Sequence, residues 1–288
     1  MQQLALALMR GMAERGARVG WAASPAGPLR FAVRGPTGAP PLLLLHGLGD
    51  SLAGWARVAG PLAREHSVHL LDLPGHGLSH APPDFRLSTL AAAVAHYARE
   101  LRDPIVIGHS LGGWIALRLV LAEELRPAQL VLVNPAGAHL ETDWTPFREL
   151  VSARDAAGAR RYLERAFRRP PLVLQLFPGE VLKAMWAPAS RGILDAVTEP
   201  DFLRESDLLS LRLPIQLLWG AHDRLLPEGT LPFFRRALPS AGLTLLPDCG
   251  HLPHLEAPGT LARALLSAIN GRADRPPWAP TNTGSVGG

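Results

Sequence analysis

Ile105-Val106-Ile107-Gly108-His109-Ser110-Leu111-Gly112-Gly113 sets a short apolar run directly before a G-x-S-x-G motif. The run reads as a buried strand and the apolar pattern beyond Leu111 as a helix, so Ser110 falls on a sharp strand-to-helix turn. A serine on a regular strand lies flat against its sheet. On such a turn its Oγ projects above the sheet edge, where a second molecule can meet it. Gly108 and Gly112 flank it at minus two and plus two, where strand and helix backbones converge and a Cβ would clash.

From this stretch the pattern extends in both directions. Apolar runs at Leu42–Leu45, Val68–Leu71, Leu130–Val133, Ile215–Trp219 and Leu243–Leu246 have the length and continuity of strands buried on both faces. Helical spacing over residues 52–65, 88–101, 111–125, 229–238 and 258–269 falls between them. This alternation predicts an α/β fold, a mostly parallel sheet flanked by helices. Earlier segments, Arg18–Ala23 and Leu29–Val33, fit an antiparallel edge hairpin. Active sites of open α/β sheets lie outside the carboxyl ends of the strands. The alternation breaks over residues 136–211, which keep helical spacing and carry Trp144, Phe147, Tyr162, Phe167, Phe177, Met185, Trp186 and Phe202. That stretch reads as a helical cap inserted into a core of residues 28–135 and 212–270. Residues 1–27 read as an N-terminal amphipathic segment, and residues 271–288, rich in Gly, Pro, Asn and Thr, as a flexible tail.

Composition narrows the function classes. With 47% hydrophobic and 19% charged residues in 288, the chain is globular, and no apolar run approaches the roughly 18 residues of a spanning helix, so stable membrane insertion is not expected. The formal charge is +4 and Lys183 is the only lysine. Arg160, Arg161, Arg165, Arg168 and Arg169 recur at helical spacing, the pattern of a solvated helix face rather than a phosphate-tracking tract, so no nucleic-acid partner is expected. Cys249 stands alone, which excludes an internal disulfide and a cysteine-based metal site. Neither metal nor cofactor is expected. The first ten residues lack a basic stretch before their apolar run, and with the lone cysteine this favours a cytoplasmic location.

A serine hydroxyl is a weak nucleophile near neutrality and needs a base, itself oriented by an acid. Two further strand ends offer these. Asp223 follows the run ending Trp219-Gly220-Ala221-His222, and His251 follows Leu246-Pro247-Asp248-Cys249-Gly250. Other residues compete less well. Asp248 is three residues before His251 and suits local loop bonding; His109, adjacent to Ser110 on a sharp turn, points away as packing; Asn134 ends a strand, where an amide cannot serve as acid. Cys249 reads as a small buried filler.

The chain order Ser110, Asp223, His251 resembles that of the α/β-hydrolase superfamily, over residues 28 to 270. His46-Gly47-Leu48-Gly49, Asp72-Leu73-Pro74-Gly75-His76-Gly77, Gly220 to Asp223 and Gly250-His251 carry the same likeness. It implies a mostly parallel sheet of the eight-stranded type with an inserted helical cap. It also implies that His46 and Gly47 open an oxyanion loop and that the backbone N–H groups of Leu48 and Leu111 bind developing negative charge. Leu111, in the first turn after Ser110, has the free amide and dipole such a role needs. Asp72 and His76 are expected to brace the site.

Relatives that open epoxides or displace halide need an aspartate where this chain has Ser110. The remaining serine-dependent branches include carboxylesterases and lipases, C–C hydrolases of ring-fission products, thioesterases, peptidases and cofactor-free peroxidase-like enzymes, which the three residues do not separate. The aliphatic and aromatic cap favours a small-molecule ester of an apolar acyl group, with C–C hydrolysis as the enzymatic alternative and a non-catalytic ligand-binding role as the alternative of another class. An ordinary imidazole titrates near ~6.5, so activity is expected to rise through roughly pH 6 to 8.

Overall fold

The computed structural model describes residues 2–142, 145–151, 153–176, 179, 182–183 and 187–271. Helix α1 (Gln2–Glu14) precedes the strands β1 (Arg18–Ala22), β2 (Leu29–Arg34) and β3 (Pro41–Leu45). Then come α2 (Ala56–Leu62), β4 (Ser67–Leu71), α3 (Leu87–Ala98), β5 (Ile105–His109), α4 (Leu111–Leu121) and β6 (Gln129–Val133). After the helical stretch discussed below, β7 (Ile215–Gly220), the helix Thr230–Ala237, β8 (Gly242–Leu246) and the helices Pro253–Glu256 and Pro258–Ile269 complete the chain.

The eight strands form one sheet in the order β1-β2-β4-β3-β5-β6-β7-β8. β1–β2 and β2–β4 are antiparallel, and every other pairing is parallel. The central strands are apolar at successive positions because each face is covered. Leu43, Leu45, Val106, Leu130, Leu132 and Leu217 pack in one cluster with α3 and α4. Leu42, Leu44, Ile107, Val131, Val133 and Leu218 pack in another with α2 and Pro258–Ile269. The period-2 alternation of a strand divides each run between the two cores. Truncating a fully buried leucine such as Leu44 in such a core costs about 2–5 kcal/mol.

The strand order reverses between β3 and β5, so the loops that follow them diverge and open a crevice at the sheet's carboxyl edge. The loops after β6, β7 and β8 meet the same edge.

Several expectations shift. The hairpin forms, but β2 also pairs with β4, and β1, within residues 1–27, belongs to the sheet, whose core therefore begins at Arg18 rather than residue 28. β8 is an edge strand with Leu245 52% exposed, so its apolar run is not buried on both faces. The helical spacing over 52–65 resolves into a 3-10 turn at Leu52–Trp55 followed by α2.

Between β6 and β7 lie α5 (Thr145–Val151), α6 (Ala156–Ala166), α7 (Leu172–Leu176) and the helices Pro188–Ala196 and Glu205–Leu208. The two ends of this insert are tied together, with His139 N–H donating to Leu203 O at 2.9 Å and Leu203 N–H to Gly137 O at 2.7 Å. Asp155 caps α6 by accepting from Gly158 N–H at 2.7 Å. The helix buries Ala159, Leu163 and Ala166 in a cluster with Leu150, Phe167 and Leu225, while Arg160, Arg161 and Arg165 face solvent. Arg168 departs from that solvated face, since it pairs with Asp248. Trp144, Phe177, Met185, Trp186 and the tail beyond Gly271 lie outside the described residues.

Candidate active site

Each side chain of interest sits where a parallel strand ends. β5 hands over to α4 at Ser110, whose backbone has φ 50° and ψ −115°, a conformation costing a non-glycine residue roughly 1–3 kcal/mol. Packing enforces it. A Cβ on Gly108 would lie 2.6 Å from Gly113 Cα, and one on Gly112 would collide with the Leu45 carbonyl. Ser110 N–H donates to Val133 O, and Ser110 O accepts from Trp114 N–H and Ala136 N–H, each at 3.1 Å. The turn is thereby fastened to β6.

His251 Nε2 lies 3.0 Å from Ser110 Oγ, and His251 Nδ1 lies 2.8 Å from Asp223 Oδ2. An ionised carboxylate only accepts, so Nδ1 carries the proton and Nε2 is left to accept from the serine hydroxyl. The side chains of His251 and Asp223 are 3% and 1% exposed. Burial opposes ionisation of Asp223, yet the His251 charge and hydrogen bonds from His251, Asn134 and Leu226 outweigh it and hold the carboxyl below its ordinary value. Asn134 Nδ2–H donates to Oδ2 at 2.6 Å, while Leu225 and Leu226 N–H donate to Oδ1 at 2.9 and 3.2 Å.

Asn134 is the residue whose part sequence reasoning misses. Taken by itself it can only be refused as an acid. It lies at the end of β6 beside β7, its Oδ1 accepts from Gly220 N–H at 3.2 Å, and its amide group helps keep Asp223 charged. The available signal is its place at a strand end adjoining the strand that leads to Asp223.

The amides of Leu48, in the loop after β3, and Leu111, first residue of α4, have no hydrogen-bond partner among the described residues. His46 shapes the first of these loops: Nδ1–H donates to Gly47 O at 2.8 Å and Nε2 accepts from Leu73 N–H at 3.0 Å. Asp72 accepts from Leu52 N–H at 2.7 Å and Leu78 N–H at 2.9 Å, and burial pushes its carboxyl above the ordinary value. His76 is buried against Pro74 O and the His46 ring. His109 is also buried, and its Nε2–H donates to His251 O at 2.8 Å, so it supports the His251 backbone. Burial holds it neutral. Asp248 turns toward Arg168 of the insert instead of His251, and Cys249 is a buried thiol pushed up to about 11 by burial and by Glu256.

This arrangement can withdraw a proton from a serine oxygen and present free amides beside it. Among the described residues no cluster of His, Cys, Asp and Glu is arranged to hold a metal ion, and no helix is long and apolar enough to cross a membrane.

Residues 42–264 match the model of the alpha/beta hydrolase family, and the chain belongs to that family. Among its relatives is the pimeloyl-[acyl-carrier protein] methyl ester esterase of Chromobacterium violaceum, 30% identical over 81% of this chain and 96% of that protein. The dihydrolipoyllysine-residue acetyltransferase component of the acetoin cleaving system of Pseudomonas putida is 28% identical over 84% of this chain, which spans 66% of that protein's length. Among solved structures, a membrane phospholipase A described as a bacterial virulence factor superposes with a TM-score of 0.80 at 25% identity, covering 95% of this chain and 93% of its own.

Proposed function

We propose that the protein is a carboxylic ester hydrolase that cleaves esters of apolar acyl groups through an acyl-enzyme on Ser110. The observation that carries this reading is the unbroken chain of contacts from Ser110 Oγ through His251 to Asp223. The 30% identity to a methyl ester esterase over nearly that protein's whole length supports it.

His251 Nε2 takes the Ser110 proton as Oγ attacks the ester carbonyl. The oxyanion is bound by the Leu48 and Leu111 amides, donors of a kind worth about 2.7–4 kcal/mol each in comparable sites. His251 then passes its proton to the departing alcohol. Water, deprotonated by the same imidazole, releases the acid. Asp223 stays ionised throughout, fixing the tautomer and stabilising the imidazolium. Tyr162 of the insert lies near enough to Asp50 and Asp223 to feel both carboxylates, and an aromatic side chain there suits an apolar acyl group. The Tyr162 hydroxyl is pushed up to about 12, by burial first and then by the Asp50 and Asp223 carboxylates, and stays neutral at working pH.

Short p-nitrophenyl esters and a fluorophosphonate probe test the reading together. Wild type is expected to turn over the ester and take the label, and Ser110→Ala to lose turnover by about 10⁴-fold or more and take none. Turnover of a vinylogous 1,5-diketone with no ester cleavage would move the assignment to C–C hydrolysis, and absence of both turnover and label would favour ligand binding.

A further inference from the structure

Glu256 ends the short helix two residues beyond His254 and shares no hydrogen bond with Ser110 or Asp223, yet its carboxylate gathers three backbone amides. Oε2 accepts from Gly250 N–H at 2.8 Å and Arg168 N–H at 3.3 Å, and Oε1 accepts from Arg169 N–H at 2.7 Å. Gly250 is the residue before the base. Arg168 and Arg169 belong to the insert, just past the end of α6.

The same end of α6 holds both functional loops. Carbonyls in the last turn of a helix lack intrahelical donors and are free to accept others. Here Ala166 O takes His251 N–H at 2.7 Å and Arg165 O takes Arg224 N–H at 3.2 Å. Glu164 O takes the Arg224 guanidinium at 2.6 Å. A Cβ on Gly250 would approach Ala166 O to 2.5 Å and Phe167 Cα to 2.8 Å, so loop and insert touch backbone to backbone. Asp248 and Arg168 pair across the same seam. Residues 164–169 are therefore the seat of the acid loop and the base loop.

We propose that Glu256 is a positioning residue for His251: its carboxylate fastens Gly250 to the insert and so holds the imidazole in register with Ser110. The proposal rests on the reading of His251 as the base. The His251 backbone itself is held at two points, N–H by Ala166 O and O by the His109 ring, and Glu256 fixes the peptide that precedes them. Hydrogen bonds to a carboxylate are roughly twice as strong as neutral ones. Register matters here because a misplacement of about 1 Å in a reacting pair costs on the order of 10²-fold in rate. It follows that this end of α6 is part of the frame of the site.

The test compares Glu256→Ala and Glu256→Gln with wild type in the full chain, using a p-nitrophenyl ester for kcat and KM, fluorophosphonate labelling rate, and the low-field NMR signal of the His251 Nδ1 proton. Glu256→Ala is expected to lower kcat and labelling rate together by about 10- to 100-fold while KM moves less than about threefold, and to shift or broaden the Nδ1 signal. Glu256→Gln keeps one acceptor oxygen and should fall between. A folded Glu256→Ala protein with kcat within about twofold of wild type, a change in KM alone, or an unchanged Nδ1 signal despite lost activity would overturn the proposal. If the alanine variant does not fold, the glutamine variant is judged by the same criteria. Ester turnover by Ser110→Ala would instead defeat the reading of the site, whatever Glu256 does.

Discussion

Two histidines within one stretch of four residues each pair with a distant carboxylate, His251 with Asp223 and His254 with Asp50, and they use opposite ring nitrogens. Asp223 accepts a hydrogen bond from Nδ1–H of His251 and leaves Nε2 facing Ser110 Oγ. Asp50 accepts a hydrogen bond from Nε2–H of His254 at 2.9 Å, and Nδ1 of that ring is buried with no hydrogen-bond partner among the described residues. The second ring lies against His109 and Trp55, with centroids 4.6 and 5.2 Å away. Both carboxyls are held below their ordinary value; burial opposes this in each case and the histidine partner outweighs it. A charged carboxylate on a buried imidazole does not by itself set a ring nitrogen against a hydroxyl. What differs is the far nitrogen, which in one pair meets a hydroxyl at the crevice and in the other meets protein. The Asp50 pair instead joins the loop after β3 to the helix after His251.

The sharpest way to break the contrast is to neutralise each acid in turn. Asp223→Asn is expected to reduce kcat by about 10⁴-fold with the protein folded, because the amide favours the wrong tautomer. Asp50→Asn should leave kcat within about tenfold and show its effect in stability, by about 1 kcal/mol as a charge-assisted hydrogen bond becomes a neutral one, read from urea unfolding. Equal kinetic losses in the two variants would erase the distinction.

A smaller effect is expected from Asn134→Ala, which removes one charge-assisted donor from Asp223, a bond of about 1.5–3 kcal/mol, and should slow kcat by roughly tenfold, equivalent to about 1.4 kcal/mol. It should also raise the Asp223 pKa. A depressed carboxyl contributes stability that is present above its unfolded value, near ~3.9, and is lost as pH falls through the folded value. The variant should lose that contribution at a higher pH than wild type in acid unfolding, and identical acid curves would show that the amide does not tune the acid.

Smallest in its effect on turnover is His76, a buried histidine that hydrogen-bonds a backbone carbonyl in place of a carboxylate. Burial lowers His76 to about 3, so on acidification the unfolded chain binds its proton first, from about pH 6.5 downward. Stability falls across that window and not above it, at up to about 1.4 kcal/mol per pH unit for one such group. His76→Gln should flatten the curve between roughly pH 6 and 4; an unchanged slope would mean the ring is protonated in the folded state.

Much of the fold and the core of the site are legible in the amino-acid sequence. Apolar runs mark β3 to β7, broken at His69 in β4 and Gln216 in β7, because strands covered on both faces need no regular polar alternation, and β8, an edge, is the run where that inference overreaches. Ser110, Asp223 and His251 are readable because each follows a strand and loop pattern with its own local signature. Asn134, Glu256 and the Asp50–His254 pair are not. Each gains its partner from a segment tens to hundreds of residues away, as His254 does from Asp50 and Glu256 from Arg168 and Arg169, and no local period or motif records such a meeting.

The amino-acid sequence alone determined that a serine stands on a constrained turn in an α/β sheet, because hydrophobic periodicity and glycine spacing are local properties. Tertiary structure decided which of several histidines and carboxylates reach one another. It also decided which ring nitrogen each carboxylate takes and that the end of α6 seats both loops. Those outcomes depend on distances across the folded sheet, and hydrogen bonding is settled over tenths of an ångström.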